Sequence, residues 1–328
     1  MAAQTRSKIS ARTFFAYLVS LALLAFLVSS ISWQDTIRIL KDGVHPASLW
    51  PFSITALLIA VIYGCRWQLL IGGKLNKSTS LIASILCLGG NMFLPARGGD
   101  LLRVHYSHVV GRIAQAEVFG TLMVEKVIDL ITIAAVGVLA AVILTLSMDS
   151  AHTDILFVSI SSALGLAFCA IVLVKYFNAP LLRWARVVFT YFGHESFFNR
   201  HVAVLIRSVG EQMTLNNLFS PSILTLLMWL SAYALSYVFA AQFVGVALSY
   251  EEALVVLFAG ALGLMLPAAP SGIGTFHASV VSAFILLGRS SAEGFLVATA
   301  IHLLFFAAYV LPAAILYGRW RLARVLQS

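Results

Sequence analysis

Apolar residues run in long stretches of helical length, and polar residues gather in the intervals between them. The long stretches fall at about 13–32, 49–71, 117–147, 153–175, 221–247 and 292–317. Each approaches or exceeds the roughly 20 residues that carry a helix across the hydrocarbon core. Two further stretches, 79–112 and 251–288, hold shorter apolar runs interrupted midway. The first breaks at Pro95-Ala96-Arg97-Gly98-Gly99 and the second at Pro267-Ala268-Ala269-Pro270-Ser271-Gly272-Ile273-Gly274. Such breaks free backbone N–H and C=O groups that hydrocarbon cannot satisfy, so they must be packed in protein or line a wet cavity. The pattern predicts an all-α polytopic membrane protein with six full transmembrane helices and two broken, re-entrant-type helical hairpins.

The two broken runs resemble each other. Leu94-Pro95-Ala96 recurs as Leu266-Pro267-Ala268, each after a short helix rich in small residues and each before glycines. Farther on, Ala116-Glu117 and Phe119 recur as Ala292-Glu293 and Phe295, opening a long apolar run both times. Each unit reads span, hairpin, span, over 49–147 and 221–317. The first unit starts on the second span and the second on the fifth, and an odd shift reverses direction across the membrane. An inverted repeat is therefore expected, the architecture in which broken helices meet near the midplane of alternating-access transporters. The whole of 1–328 reads as one integral membrane domain.

Composition agrees with this reading and narrows it. The 328 residues are 61% hydrophobic and 10% charged, whereas a soluble domain carries about 25% charged residues. That shortage of charge excludes a soluble enzyme core, a nucleic-acid binder and a disordered chain. The formal net charge of +8 records topology rather than a polyanionic partner, because Lys and Arg concentrate in cytoplasmic loops. With the amino terminus inside, Arg6, Lys8, Arg12, Arg66, Lys74, Lys77, Lys175, Arg183, Arg186, Arg200, Arg207, Arg319, Arg321 and Arg324 all fall in the cytoplasm. Only Arg38, Lys41 and Arg289 fall outside, and most loop carboxylates lie there too. Both termini are expected to be cytoplasmic. The first apolar run is longer than the core of a signal peptide and no small-residue cleavage site follows it, so it is expected to stay as a helix. Cys65, Cys87 and Cys169 lie in apolar runs with no metal-ligand spacing, and neither a metal nor another cofactor is expected. The segment 176–220 mixes Trp184, Phe189, Tyr191, Phe197 and Phe198 with arginines. It fits a cytoplasmic amphipathic segment lying against anionic lipid and equally a linker packed on the bundle.

Ionisable groups at membrane depth are costly and are the default functional candidates. They concentrate in the first unit: Arg97, Asp100, Arg103 and Arg112 in the hairpin, then Glu117, Glu125, Lys126 and Asp129 on the following span. Glu125 and Asp129 are four apart and share one helix face. Arg97 follows the break, where its guanidinium and the free N–H groups opening the next helix at Gly98 and Gly99 would attract a phosphate. Arg97 and Arg103 would alternatively neutralise Glu125 and Asp129 in a closed ion-pair network. The second unit offers Ser271, Gly272, Gly274, Thr275, His277 and His302, with either histidine able to carry a proton or to serve as a hydrogen-bonding residue of the core. Asn91, one turn before the first break, is expected to satisfy freed backbone groups.

Three ordered motifs carry a family resemblance over most of the chain. They are Asn91-x-x-Leu94-Pro95-Ala96-Arg97-x-Gly99-Asp100-x-x-Arg103, then Glu125-Lys126-x-x-Asp129, then Pro270-Ser271-Gly272-Ile273-Gly274-Thr275-Phe276. Together they resemble the lysylphosphatidylglycerol synthase transmembrane, or flippase-like, family of integral membrane proteins. The resemblance implies movement of a lipid between leaflets, in a bacterial inner (plasma) membrane. It departs from the family pattern at His277, which stands where the family carries a carboxylate. The chain runs only to Ser328 without an aminoacyl-transfer domain, so no enzyme activity is expected of it.

The leading expectation is a lipid translocase for an anionic or phosphate-bearing lipid. Arg97, Gly98, Gly99, Arg103, Ser271, Gly272, Gly274 and Thr275 would hold the headgroup. Asp100, Glu125, Lys126, Asp129, His277 and His302 would couple or gate. The alternatives are a membrane scaffold for a separate lipid-modifying transferase, and a transporter of a small soluble anion. The expected partners are the lipid itself and such an enzyme, with no nucleic acid.

Overall fold

The computed structural model describes residues 11–94, 97–147, 165, 178–191, 195–204, 215–265 and 270–326. Among these residues there are helices and no strands. Helix α1 (Ala11–Ser30) is followed, after a 79° bend, by α2 (Trp33–Gly43). Ser32 caps the second of the two by accepting from the Asp35 N–H at 3.3 Å. Then come α3 (Leu49–Leu70), α4 (Lys77–Phe93), α5 (Gly98–Gly111), α6 (Gln115–Ser147) and α7 (Asn178–Tyr191). Helix α8 (Leu215–Leu227) passes through a π-helical turn, Met228–Tyr233, into α9 (Ala234–Phe243), forming one long apolar rod. The chain ends with α10 (Tyr250–Met265), α11 (Thr275–Leu286) and α12 (Ser291–Val325).

Four of these rods are long and apolar enough to cross a membrane: Pro46–Leu70, Gln115–Ile143, Asn217–Phe243 and Ser291–Val325. The bent pair Leu21–Ser30 and Trp33–Lys41 makes a fifth if taken as one span. The four rods coincide with four of the six long apolar stretches, and the bent pair overlaps the stretch 13–32 over Leu21–Ser30. The remaining stretch, 153–175, lies outside the described residues apart from Gly165, and so do Pro95, Ala96 and 266–269 of the two breaks. The protein is an integral membrane protein, and its outer faces carry the expected lipid-facing side chains, among them Leu57, Phe219, Leu303 and Leu311.

Local chemistry explains where the helices start and stop. Gly72 and Gly73 both take positive φ and turn the chain after α3. Asn76 then caps α4 by accepting from the Thr79 N–H at 2.8 Å, satisfying one of the orphan donors of a first turn. Ser290 and Glu293 form a reciprocal capping box at the start of α12.

Packing joins the stretch 49–147 to the stretch 221–317. Helix α4 lies against α12, and α10 lies against α6. Small residues set both contacts. A Cβ on Gly89 of α4 would strike the Tyr309 carbonyl of α12. On Gly137 of α6 it would come within 2.5 Å of the Phe258 ring of α10. Without a hydrophobic drive between helices in lipid, close backbone approach of this kind supplies the contact energy. The main core is built from α3, α4, α6, α9, α10, α11 and α12, with Phe52, Ile59, Tyr237, Leu254, Phe284 and Phe305 at its centre. A second cluster around Trp67, Leu86, Val104 and Val118 seals the first hairpin against α3 and α6.

Candidate functional site: a buried ion network at the first broken helix

The first break places charge inside the bundle by way of its glycines. Arg97 sits in the left-handed region (φ 56°, ψ 42°) and opens α5. Gly99 then presses on α4 so closely that a Cβ would overlap the Cys87 carbonyl and the Asn91 N–H. Gly90 makes the reciprocal approach, 2.6 Å from a built Cβ to the Gly99 Cα. The hairpin glycines thus serve helix–helix contact, which carries Asp100 and Arg103 into the interior. Asn91 does what was expected of it. Its side-chain oxygen accepts from the Asp100 N–H at 3.2 Å, and its amide donates to Asp100 Oδ1 at 3.3 Å.

The ion pairs run from there through the bundle. Asp100 is held by Lys126 at 3.1 Å and accepts from the Cys87 thiol at 3.1 Å. Arg103 donates through Nη2 to Glu125 Oε1 at 2.6 Å and lies 4.0 Å from Asp100. Glu125 also meets Arg66 at 3.1 Å, and Arg66 pairs with Asp129 at 2.5 Å while donating to Thr225 Oγ1 at 2.9 Å. Arg66, Arg103 and Glu125 are wholly buried. Aromatic rings cover the guanidinium faces. Arg103 lies 4.0 Å over Trp67, and Tyr63 sits beside both arginines, 4.5 Å from Arg66 and 5.2 Å from Arg103. A ring quadrupole attracts a desolvated cation without demanding a hydrogen bond. That compensation matters, because among the described residues Arg66 Nε, Arg103 Nε and Nη1, and Glu125 Oε2 have no hydrogen-bond partner. Trp67 is itself anchored, donating to Ser107 Oγ at 3.1 Å.

The partners differ from the expected ones in an informative way. Arg103 does take Glu125. Arg97 reaches neither Glu125 nor Asp129; its partner is Asp100, at 3.9 Å. The cation on Asp129 is Arg66, which positive-inside counting had assigned to a cytoplasmic loop. Arg66 is instead in the body of α3, and the correction has a visible cause. Ile59, Tyr63, Trp67 and Leu70 are the buried stripe of that helix, and Arg66 falls in phase with it, one residue before Trp67. Helical phase was the signal that could have found it. Thr225, four residues after Pro221, was also missed. The remaining expected charges lie apart from the network. Glu117 pairs with Lys74, and Arg112 is exposed in a left-handed C-cap. His105 sits against Trp320, and His108 Nδ1 lies 2.6 Å from the Ile113 carbonyl.

The second break joins the first. Ser271 takes a left-handed conformation (φ 60°) between Pro270 and Gly272, and its hydroxyl donates to Met92 Sδ of α4 at 2.9 Å. His302 of α12 holds the same residue through Nε2, at 2.8 Å from the Ser271 carbonyl and 2.9 Å from its hydroxyl. His277 stacks on His302 with ring centroids 5.0 Å apart, and among the described residues His277 Nδ1 has no hydrogen-bond partner. Gly274 (φ 94°) ends the turn, and Thr275 donates to the Gly272 carbonyl at 3.1 Å. Met92 lies one residue after Asn91, which touches Asp100, so the histidine pair and the ion network flank the end of α4. Among the described residues no group of three or more His, Cys, Asp and Glu could hold a metal ion.

The sequence profile described as the lysylphosphatidylglycerol synthase TM region matches residues 13–313. The chain belongs to this family. Neither a curated protein nor a solved structure matches it. The matched range includes both hairpins and every member of the ion network.

Proposed function

We propose that this family member moves an anionic or phosphate-bearing lipid between leaflets by alternating access, as a transporter and not an enzyme. The family's description names a phosphoglycerol lipid, which supports a lipid substrate. The observation that carries the reading is the state of Arg97. Arg66, Arg103 and Lys126 are matched by Asp100, Glu125 and Asp129. Arg97 is the surplus cation. Its side chain is 54% exposed, and among the described residues its ion-pair partner is Asp100 at the long distance of 3.9 Å. A phosphodiester offers the negative charge and acceptor oxygens that a guanidinium at a broken helix lacks.

Alternating access also needs two units that can rock. The ordering of long, short, short and long helices in both units supports an inverted repeat, as does the exchange of α4 onto α12 and α10 onto α6. The distribution of basic residues supports cytoplasmic termini. In this reading Asp100 releases Arg97 when a headgroup arrives, and the Ser271–Met92 contact parts as the hairpins separate.

The test is leaflet exchange of a fluorescent phosphatidylglycerol in proteoliposomes. Arg97→Ala should abolish exchange while the variant purifies and melts like the parent, and Arg97→Lys should restore part of it. Parental rates in Arg97→Ala would remove that arginine from the mechanism. Co-purification with a lipid-modifying transferase and no exchange by the protein alone would instead support a scaffold.

A further inference from the structure

Helix α7 has two apolar faces, and only one of them is used. At 100° per residue, Leu182 and Phe189 fall on one side of the helix. They pack with Phe198 and Ala203 of the following turn, Glu195–Val202 and beyond, in a small cluster of their own. Arg186 lies over the Phe198 ring at 5.9 Å, on the edge of that cluster. Trp184 and Val187 fall on the opposite side and are each 68% exposed. Arg183 is exposed on the flank between the two faces. Burying one face is enough to fold this element, so local packing does not account for a tryptophan and a valine on the other.

We propose that α7 lies in the headgroup layer of the bilayer, with Trp184 and Val187 inserted at the acyl boundary and Arg183 and Arg186 engaging anionic lipid. Three observations favour a membrane over a protein as the occupant. The flank beside the exposed face is cationic, which complements an anionic leaflet. Its large residue is a tryptophan, whose ring has an apolar body and a polar N–H suited to the interface. The element is also tethered close to the membrane. The chain from Ala203 to Leu215, where α8 begins its run across, reaches at most about 40 Å even when fully extended. This is a second lipid contact, separate from the Arg97 site, and it holds whether or not that site moves lipid.

The experiment places an environment-sensitive fluorophore on Val187→Cys in the full chain, with Cys65 and Cys169 replaced by Ser. Cys87 stays, being buried against Asp100. The protein is examined in nanodiscs of phosphatidylcholine alone and of an equal mixture with phosphatidylglycerol. The expected result in the mixed discs is a blue-shifted probe, shielded from aqueous iodide and quenched by lipids carrying a nitroxide near the carbonyl. Arg183→Gln with Arg186→Gln should shift the docked–undocked equilibrium roughly 30-fold toward water, and Lys at both positions should restore it. High salt on the unsubstituted arginines should produce the same shift, so the result does not depend on the folding of the double variant. A probe equally open to iodide in both lipid compositions would overturn the proposal. So would a probe that is shielded but unquenched by the nitroxide lipid, since that would place the face against protein. Leaflet exchange measured on the same discs reports separately on the Arg97 reading.

Discussion

Removing Arg66 tests whether the buried network is held by charge balance. Arg66 is the cation on Asp129 among the described residues and one of two on Glu125. In Arg66→Met, Glu125 keeps Arg103 at 2.6 Å, but Asp129 is left as an uncompensated carboxylate inside the bundle. Breaking a buried pair from one side costs about 3–5 kcal/mol. A loss of about 3–5 kcal/mol is therefore expected. Arg66→Met with Asp129→Leu removes both charges and restores balance, and replacing an ion pair by apolar groups is often close to neutral. Reversible unfolding in mixed micelles, followed by circular dichroism, measures all three proteins. If the double variant is as unstable as the single one, or if the single variant loses under about 1 kcal/mol, charge balance is not what holds α3 to α6.

Four further substitutions probe close contact, backbone conformation and the ion pairs at the rim. Gly99→Ala should cost about 3 kcal/mol, the upper end for overpacking, because its methyl would meet the backbone of Cys87 and Asn91 and not a flexible side chain. Gly73→Ala, with φ +71° and open space around it, should cost only about 1 kcal/mol of conformational strain, and comparing the two thermal midpoints separates contact from conformation. At the rim, Lys74→Gln breaks an exposed pair with Glu117 and should cost under about 1 kcal/mol, vanishing in high salt. Arg289→Gln loses contacts to Glu252, Glu293 and the Ala247 carbonyl and should cost about 2 kcal/mol, read from the same melts.

Much of this protein was legible in the order of its residues. Membrane helices announce themselves because a bilayer demands length, apolarity and internal hydrogen bonding all at once. That is why the stretches at 49–71, 117–147, 221–247 and 292–317 reappear as the rods Pro46–Leu70, Gln115–Ile143, Asn217–Phe243 and Ser291–Val325. The two breaks were equally visible, since Pro and Gly have backbone consequences wherever they stand. The ordered motifs carried the family.

What the sequence could not decide was which charges meet. Arg66 counted as a cytoplasmic residue because it stands near the end of the 49–71 stretch, although it is in phase with Ile59, Tyr63 and Trp67, whose packing turns that face inward. Its partners lie 59 and 63 positions farther along the chain, at Glu125 and Asp129, and no local pattern encodes a pairing across that distance. The meeting of the two breaks, through Ser271 and Met92, is of the same kind. One-dimensional periodicity fixes which face of a helix is apolar, because that depends on neighbours three and four residues away. Ion-pair partnership depends on how separate helices cross, and that is set by small residues such as Gly89, Gly99 and Gly137, whose role appears only when another backbone is against them.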